Sequence, residues 1–231
     1  MDVDFLFQLI AANQGGGGGP LVGSTTIVAT AGPYLDWDFA STFPNAQVGD
    51  ALIGVGAADR NDLGSAIYTS GSLNAQKISS ESSKSPGSAF LLATWDGVNT
   101  RITSNNTIPV DSPSYYCGWV FGLFRGFNPG GVTASSINGT TGMPNPPLRS
   151  GFAANSLVLA CGAIDDDAVT DVTPPVGFDL VGSRTASLTA GGTATAMLAW
   201  KISTAGAEDP GSFGGSGGDS WRAATLALPP V

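Results

Sequence analysis

Residues 114–126 read SYYCGWVFGLFRG, the longest apolar and aromatic run in the chain. Taken as a strand, with successive side chains on opposite faces, it puts Tyr115, Cys117, Trp119, Phe121 and Leu123 on one side. Tyr116, Val120 and Phe124 fall on the other, with Gly118 and Gly122 between them. A strand apolar on both faces has to be covered on both, which predicts a central strand of a packed sheet. Two internal glycines, Ser112-Pro113 before the run and residues 128–131 (NPGG) after it argue against a helix. The run is also too short to cross a bilayer as a helix.

The run has an echo. Tyr116 in YYCGWVFGL (115–123) aligns with Trp221 in SWRAATLAL (220–228), 105 residues later. The same spacing of 105 links Leu52 in GDALIGVGAAD (49–59) to Leu157 in NSLVLACGAID (155–165), and Trp95 in FLLATW (90–95) to Trp200 in AMLAW (196–200). Three apolar segments in one order at one spacing predict an internal duplication. The regular strand intervals of any sandwich are the plainer explanation.

At 231 residues the chain is long enough to bury a substantial core. Only 12% of residues are charged and 33 are glycine, while Glu occurs twice, at Glu81 and Glu208. Strong surface helix formers are therefore scarce, and the composition points to an all-β protein rich in turns. A net charge of −9 without any basic cluster disfavours nucleic acid or an anionic membrane as partner. The acidic start, Met1-Asp2-Val3-Asp4, does not read as an export signal. The two cysteines, Cys117 and Cys161, lie in apolar runs and read either as buried thiols or as a bridge between the copies.

Along the chain, Phe5, Leu6, Phe7, Leu9 and Ile10 form a short apolar segment tethered by residues 15–19 (GGGGG) and Pro20. Too short to be stable alone, it reads as an assembly arm docking on a neighbouring subunit, or as a first strand folded back on its own domain. Short strands are expected from residue 25 onward, including 51–58, 88–95 and 115–124, and in the second half 156–164, 178–181, 195–201 and 221–228. Residues 128–150 have no sustained period and are expected to connect the halves; 211–218 (GSFGGSGG) reads as a loop. The expected organisation is an arm and linker over 1–20 and a sandwich over 21–231, with a first copy at about 45–127 and a second at about 151–231. The architecture expected is a β-sandwich of jelly-roll type.

The chain contains no histidine, which removes Ser-His-Asp and Cys-His catalysis and most zinc or iron sites. Carboxylate chemistry such as glycoside hydrolysis would need two facing acids, whereas most Asp residues here sit at turns. No enzyme activity, cofactor or resident metal is therefore expected. Asp165, Asp166 and Asp167 with Asp171 form the one acidic cluster, a calcium candidate that lacks the ligand spacing of an EF-hand loop. Of the tryptophans, Trp95, Trp119 and Trp200 are expected in the core. Trp37, between Asp36 and Asp38, is the candidate ligand contact.

Several short stretches, VGDALI (48–53), FRG (124–126) followed by Asn128-Pro129, NSLV (155–158), TPPVGF (173–178), AWK (199–201) and SWRAA (220–224), resemble signatures of tailed-phage structural proteins. In those proteins they read "GDLL", "RG-x-NP", "PPAGW", "YWK" and "WRA", and Phe178 stands where the pattern has Trp. The resemblance covers about residues 45–228 and implies a β-sandwich of the minor tail, fibre or capsid-decoration type, with no catalytic residues. It implies a virion protein assembled in the host cytoplasm beside other capsid or tail proteins, as a homo-oligomer such as a trimer. A glycan-binding module that contacts the host surface, with loops 59–64, 81–87 and 211–218 forming the site, is the alternative.

Overall fold

The computed structural model describes residues 20–29, 36–58, 67–68, 76–81, 87–98, 101–105, 117–165, 169–187 and 193–231. In the first part of the chain these form β1 (Leu21–Ala29), β2 (Asp36–Asp38), the one-turn helix α1 (Phe39–Thr42), β3 (Ala51–Ala58), β4 (Ile67–Tyr68), β5 (Gln76–Glu81), β6 (Gly87–Thr94), β7 (Arg101–Asn105) and β8 (Cys117–Phe124). After a 3-10 turn at Pro129–Gly131 come β9 (Thr133–Gly139), β10 (Arg149–Ser150), β11 (Ser156–Asp165), β12 (Thr170–Thr173), β13 (Asp179–Ser187), β14 (Thr193–Ser203), β15 (Ala207–Glu208), β16 (Gly214–Ser216) and β17 (Trp221–Leu228). The described chain is therefore nearly all β, as the composition predicts.

Two five-stranded antiparallel sheets dominate, in the orders β1-β8-β3-β6-β5 and β13-β14-β11-β17-β9. Read from β9, the second sheet repeats the winding of the first: the first strand in the chain, then the last, the second, the fourth and the third. A jelly roll passes consecutive strands between its two sheets. Here all five strands of one sheet come from residues 21–124 and all five of the other from residues 133–228. The difference arises because the hairpin β5–β6 and its counterpart β13–β14 each close within their own sheet.

The sheets pack face to face over a shared apolar core. Ile53, Val55, Phe90, Val120 and Phe124 of the first meet Leu157, Leu159, Cys161, Leu198 and Leu226 of the second. The outer faces are buried as well. Leu52, Leu91, Trp119, Phe121 and Leu123 pack with Phe43, and Val158, Ala160, Met197 and Ala223 pack with Val169, Phe178 and Phe213. β8 thus has apolar neighbours on both faces, with Trp119, Phe121 and Leu123 outward and Val120 and Phe124 inward. Tyr115 and Tyr116 lie outside the described residues.

Glycine shapes the outer face of the first sheet. Trp119 and Phe121 stack with centroids 5.4 Å apart, and their cross-strand partners on β3 are Gly56 and Gly54. A Cβ on Gly56 would come within 2.7 Å of the Trp119 ring, and one on Gly54 within 2.5 Å of the Phe121 ring. The two aromatic rings occupy the space that side chains on β3 would take. On the inner face, a Cβ on Gly118 would fall 2.5 Å from the Arg184 carbonyl oxygen of β13, so backbone approaches backbone there.

Three local readings differ from expectation. Residues 128–150 contain β9, an edge strand of the second sheet with one apolar side chain, Ala134, packed on the core. Residues 211–218 hold β16, which pairs with β12 beside the buried Phe213. Phe39 opens α1, although Leu35, Trp37 and Phe39 alternate in the sequence as one face of a strand would.

Cys161 is a free thiol, fully buried between the sheets, which removes the bridge to Cys117. Burial alone pushes its thiol far above the ordinary range, because the thiolate would lose its water. Maleimide applied to the folded protein is expected to leave the Cys161 peptide unmodified and to label it fully after denaturation. Comparable labelling before and after, read by peptide mass spectrometry, would contradict this core.

Candidate functional site

The strand ends where residues 45–50, 95–98, 125–131, 174–178, 201–208 and 229–231 gather form the best-defined polar region of the described chain. At its centre is Asp50, whose side chain is 3% exposed. Arg125 approaches it as a fork, with Nε donating to Oδ1 at 2.9 Å and Nη2 to Oδ2 at 2.8 Å. The same Nη2 donates to the Asn45 carbonyl at 2.8 Å, and the Gln47 amide donates to Asp50 Oδ2 at 2.8 Å. The hydrogen bonds that Arg125 donates to Asp50 hold its guanidinium above its ordinary pKa, against a smaller effect of burial.

The backbone completes the clamp. Trp95 donates to the Asp50 carbonyl and Gly49 donates to the Trp95 carbonyl, both at 2.8 Å, so the start of β3 is tied to the end of β6. Gly49 has φ +95, a conformation glycine adopts at little steric cost. Asn128 Oδ1 accepts from the Gly130 amide at 3.0 Å and caps the 3-10 turn. Phe127 forms a bridge with Pro230, while the Val231 amide donates to the Gly126 carbonyl at 3.1 Å.

The second sheet has its own clamp at the same end. Lys201 Nζ lies 2.8 Å from Glu208 Oε1 and 5.2 Å from the centroid of the Phe178 ring. Ser203 Oγ donates to Glu208 Oε2 at 3.0 Å, and Trp200 meets Phe124 edge-on at 6.0 Å. These groups neutralise one another and tie β14 to β15. Four valines in the segments at this end are strongly exposed: Val48, Val98, Val176 and Val231.

The sequence candidates fall elsewhere. Phe5, Leu6, Phe7, Leu9 and Ile10 lie outside the described residues, as do Asp166 and Asp167 and loops 59–64 and 82–86. Asp165 ends β11, its amide donating to the Ser220 carbonyl at 2.9 Å; Asp171 is exposed on β12 with φ +55. Among the described residues no three His, Cys, Asp or Glu side chains come together as a metal site. Trp37 sits on β2, paired with Ile102 of β7. Trp95, Trp119 and Trp221 are buried and Trp200 packs on the inner core.

The Asp50–Arg125 pair escaped a reading of the sequence because its partners are 75 residues apart. The signal that could have found it is that "GD" and "RG" both stand at the ends of apolar strands, where a lone charge needs a partner. Compared with protein families, curated proteins and solved structures, the chain matches none.

Proposed function

We propose that this chain is a non-enzymatic structural protein of a tailed-phage particle, displayed as a capsid decoration or as a head or tail fibre component and attached by its N-terminal arm. The observation that carries the reading is how the phage-like stretches meet. Asp50 of the "GD" stretch is bound by Arg125 of the "RG" stretch, Phe178 of TPPVGF lies against Lys201 of AWK, and Asn128 caps the turn that follows. These residues are engaged in holding strand ends, the role expected of them in a sandwich built to bear contacts. Groups meant for a ligand would be left free to meet it, whereas these are occupied by one another.

The same reading includes a duplicated origin. The shared strand order, together with the spacing of 105 that maps Ala51 at the start of β3 onto Ser156 at the start of β11, supports two copies of one five-stranded unit, each contributing a sheet.

Removing residues 1–19 is the direct test. The shortened protein is expected to keep the melting temperature of the full chain and to lose co-sedimentation with purified particles. Equal decoration by both proteins would overturn the role of the arm, and absence of the chain from purified particles would overturn the virion reading itself.

A further inference from the structure

Four strands border the two main sheets: β1 and β5 in the first, β13 and β9 in the second. Three of them carry an interruption. The register shifts between Leu21 and Gly23 in β1, between Lys77 and Ser79 in β5, and between Leu180 and Gly182 in β13. β5 also includes Lys77 and Glu81, and β13 includes Arg184. Irregular register twists an edge away from a flat template, and a charge on it resists burial under another strand; both discourage edge-to-edge pairing.

β9 has none of these features. It runs against β17 in unbroken register, from Thr133 opposite Ala227 to Gly139 opposite Trp221. Its sequence, TASSING, holds no charged residue and no proline. The Asp165 amide donates to the Ser220 carbonyl, so Ser220 and then Arg222, Ala224 and Leu226 turn their backbone groups toward β11. Trp221, Ala223, Thr225 and Ala227 therefore bond to β9, through Gly139, Ile137, Ser135 and Thr133. The N–H and C=O groups of Ala134, Ser136 and Asn138 point away from the sheet. Arg149 Nη1 reaches the Ala134 carbonyl at 3.4 Å, in accord with this phase, and Ser136, Ile137 and Asn138 are exposed.

We propose that β9 is a dimerisation edge, pairing antiparallel with β9 of a second copy about a two-fold axis at Ile137. In this register Ser136 of each copy exchanges backbone hydrogen bonds with Asn138 of the other. The two Ile137 residues, 48% exposed in the single chain, face each other in the narrow, non-hydrogen-bonded position. Ser135, whose hydroxyl donates to the Leu148 carbonyl at 3.2 Å, falls opposite Gly139 of the second copy, which leaves room for the exposed Leu148. A second copy suits this edge because TASSING is neutral, so two chains of net charge −9 meet there without bringing acidic side chains of the strand together. The contact is closed and self-complementary, joining two five-stranded sheets into one. The inference is independent of the phage reading.

Sedimentation of the full chain over a dilution series tests it. The unmodified protein is expected to be a dimer. Ile137→Lys and Ser136→Pro are each expected to weaken it on the order of a hundredfold while leaving the melting temperature of the dissociated chain, read at high dilution, unchanged, since the Ser136 N–H makes no bond to β17. In Ile137→Cys the two thiols would stand on Cα atoms about 4.5 Å apart, within disulfide reach. That variant is expected to give a covalent dimer on oxidation that the unmodified protein does not. A monomeric parent, or a dimer that persists in both edge variants, overturns the proposal. Should an edge variant lower the melting temperature, the cysteine variant decides, and its failure to cross-link overturns the pairing.

Discussion

Replacing Trp119 with alanine is expected to lower stability by about 4 kcal/mol, a fall in melting temperature of roughly 10 °C for a chain of this length. The indole is 1% exposed, stacks on Phe121 and lies across Gly56. With glycine beneath it, no neighbouring side chain on β3 can move in, so the cavity stays open. Trp119→Phe separates volume from polarity. Among the described residues the buried indole Nε1 has no hydrogen-bond partner, so losing that group is favourable and the smaller ring is expected to cost only about 1 kcal/mol. Thermal or denaturant unfolding reads both variants. A Trp119→Ala protein that melts with the parent would mean that the outer cluster is not a core.

Arg125→Met is expected to cost about 2 to 3 kcal/mol, and distinctly more than Asp50→Asn. The asymmetry follows from burial: Asp50 is 3% exposed and Arg125 is 39% exposed. Without Arg125, the carboxylate keeps the Gln47 amide as its side-chain hydrogen-bond partner and remains cut off from water. Without the charge on residue 50, the guanidinium still reaches solvent and the Asn45 carbonyl, and an Asn oxygen can still accept from Gln47. Urea unfolding of the two variants side by side tests the order. Equal losses, or a larger loss for Asp50→Asn, would show that the clamp is not governed by the buried acid.

The central strands were legible because they break the usual alternation. β3, β6, β8, β11, β14 and β17 are apolar on both faces, and their spacing of 105 residues repeats. β9 was not legible, since an edge strand with a single core contact at Ala134 needs only one apolar position, and Thr, Ser and Asn supply the rest. β16 is held by the buried Phe213 and by pairing with β12, against the preference of Gly214 and Gly215. The clamps were legible only in part. The resemblance marked Asp50, Arg125, Phe178 and Lys201 individually, while the pairing among them, and the Asn45, Gln47 and Glu208 groups that complete the clamps, are set by tertiary packing.

The winding of the sheets also sets the order in which the chain can become a protein. In each sheet the last strand made, β8 or β17, inserts between the first and second, so among the described strands β1 finds its sheet partner only once residue 117 and beyond has been synthesised. Before β8 the main sheet is only the three-stranded piece β3-β6-β5, with β3 as its open edge, and closure of the sheet is a late, long-range event that favours slow folding. Once β8 is in place the first sheet is complete, yet the face bearing Ile53, Val55, Phe90, Val120 and Phe124 stays bare until residues 133–228 follow. A nascent chain paused between the sheets therefore presents a finished apolar wall with no cover. The next such wall on a polysome is identical to it, which makes pairing of two first halves the characteristic misassembly of this fold.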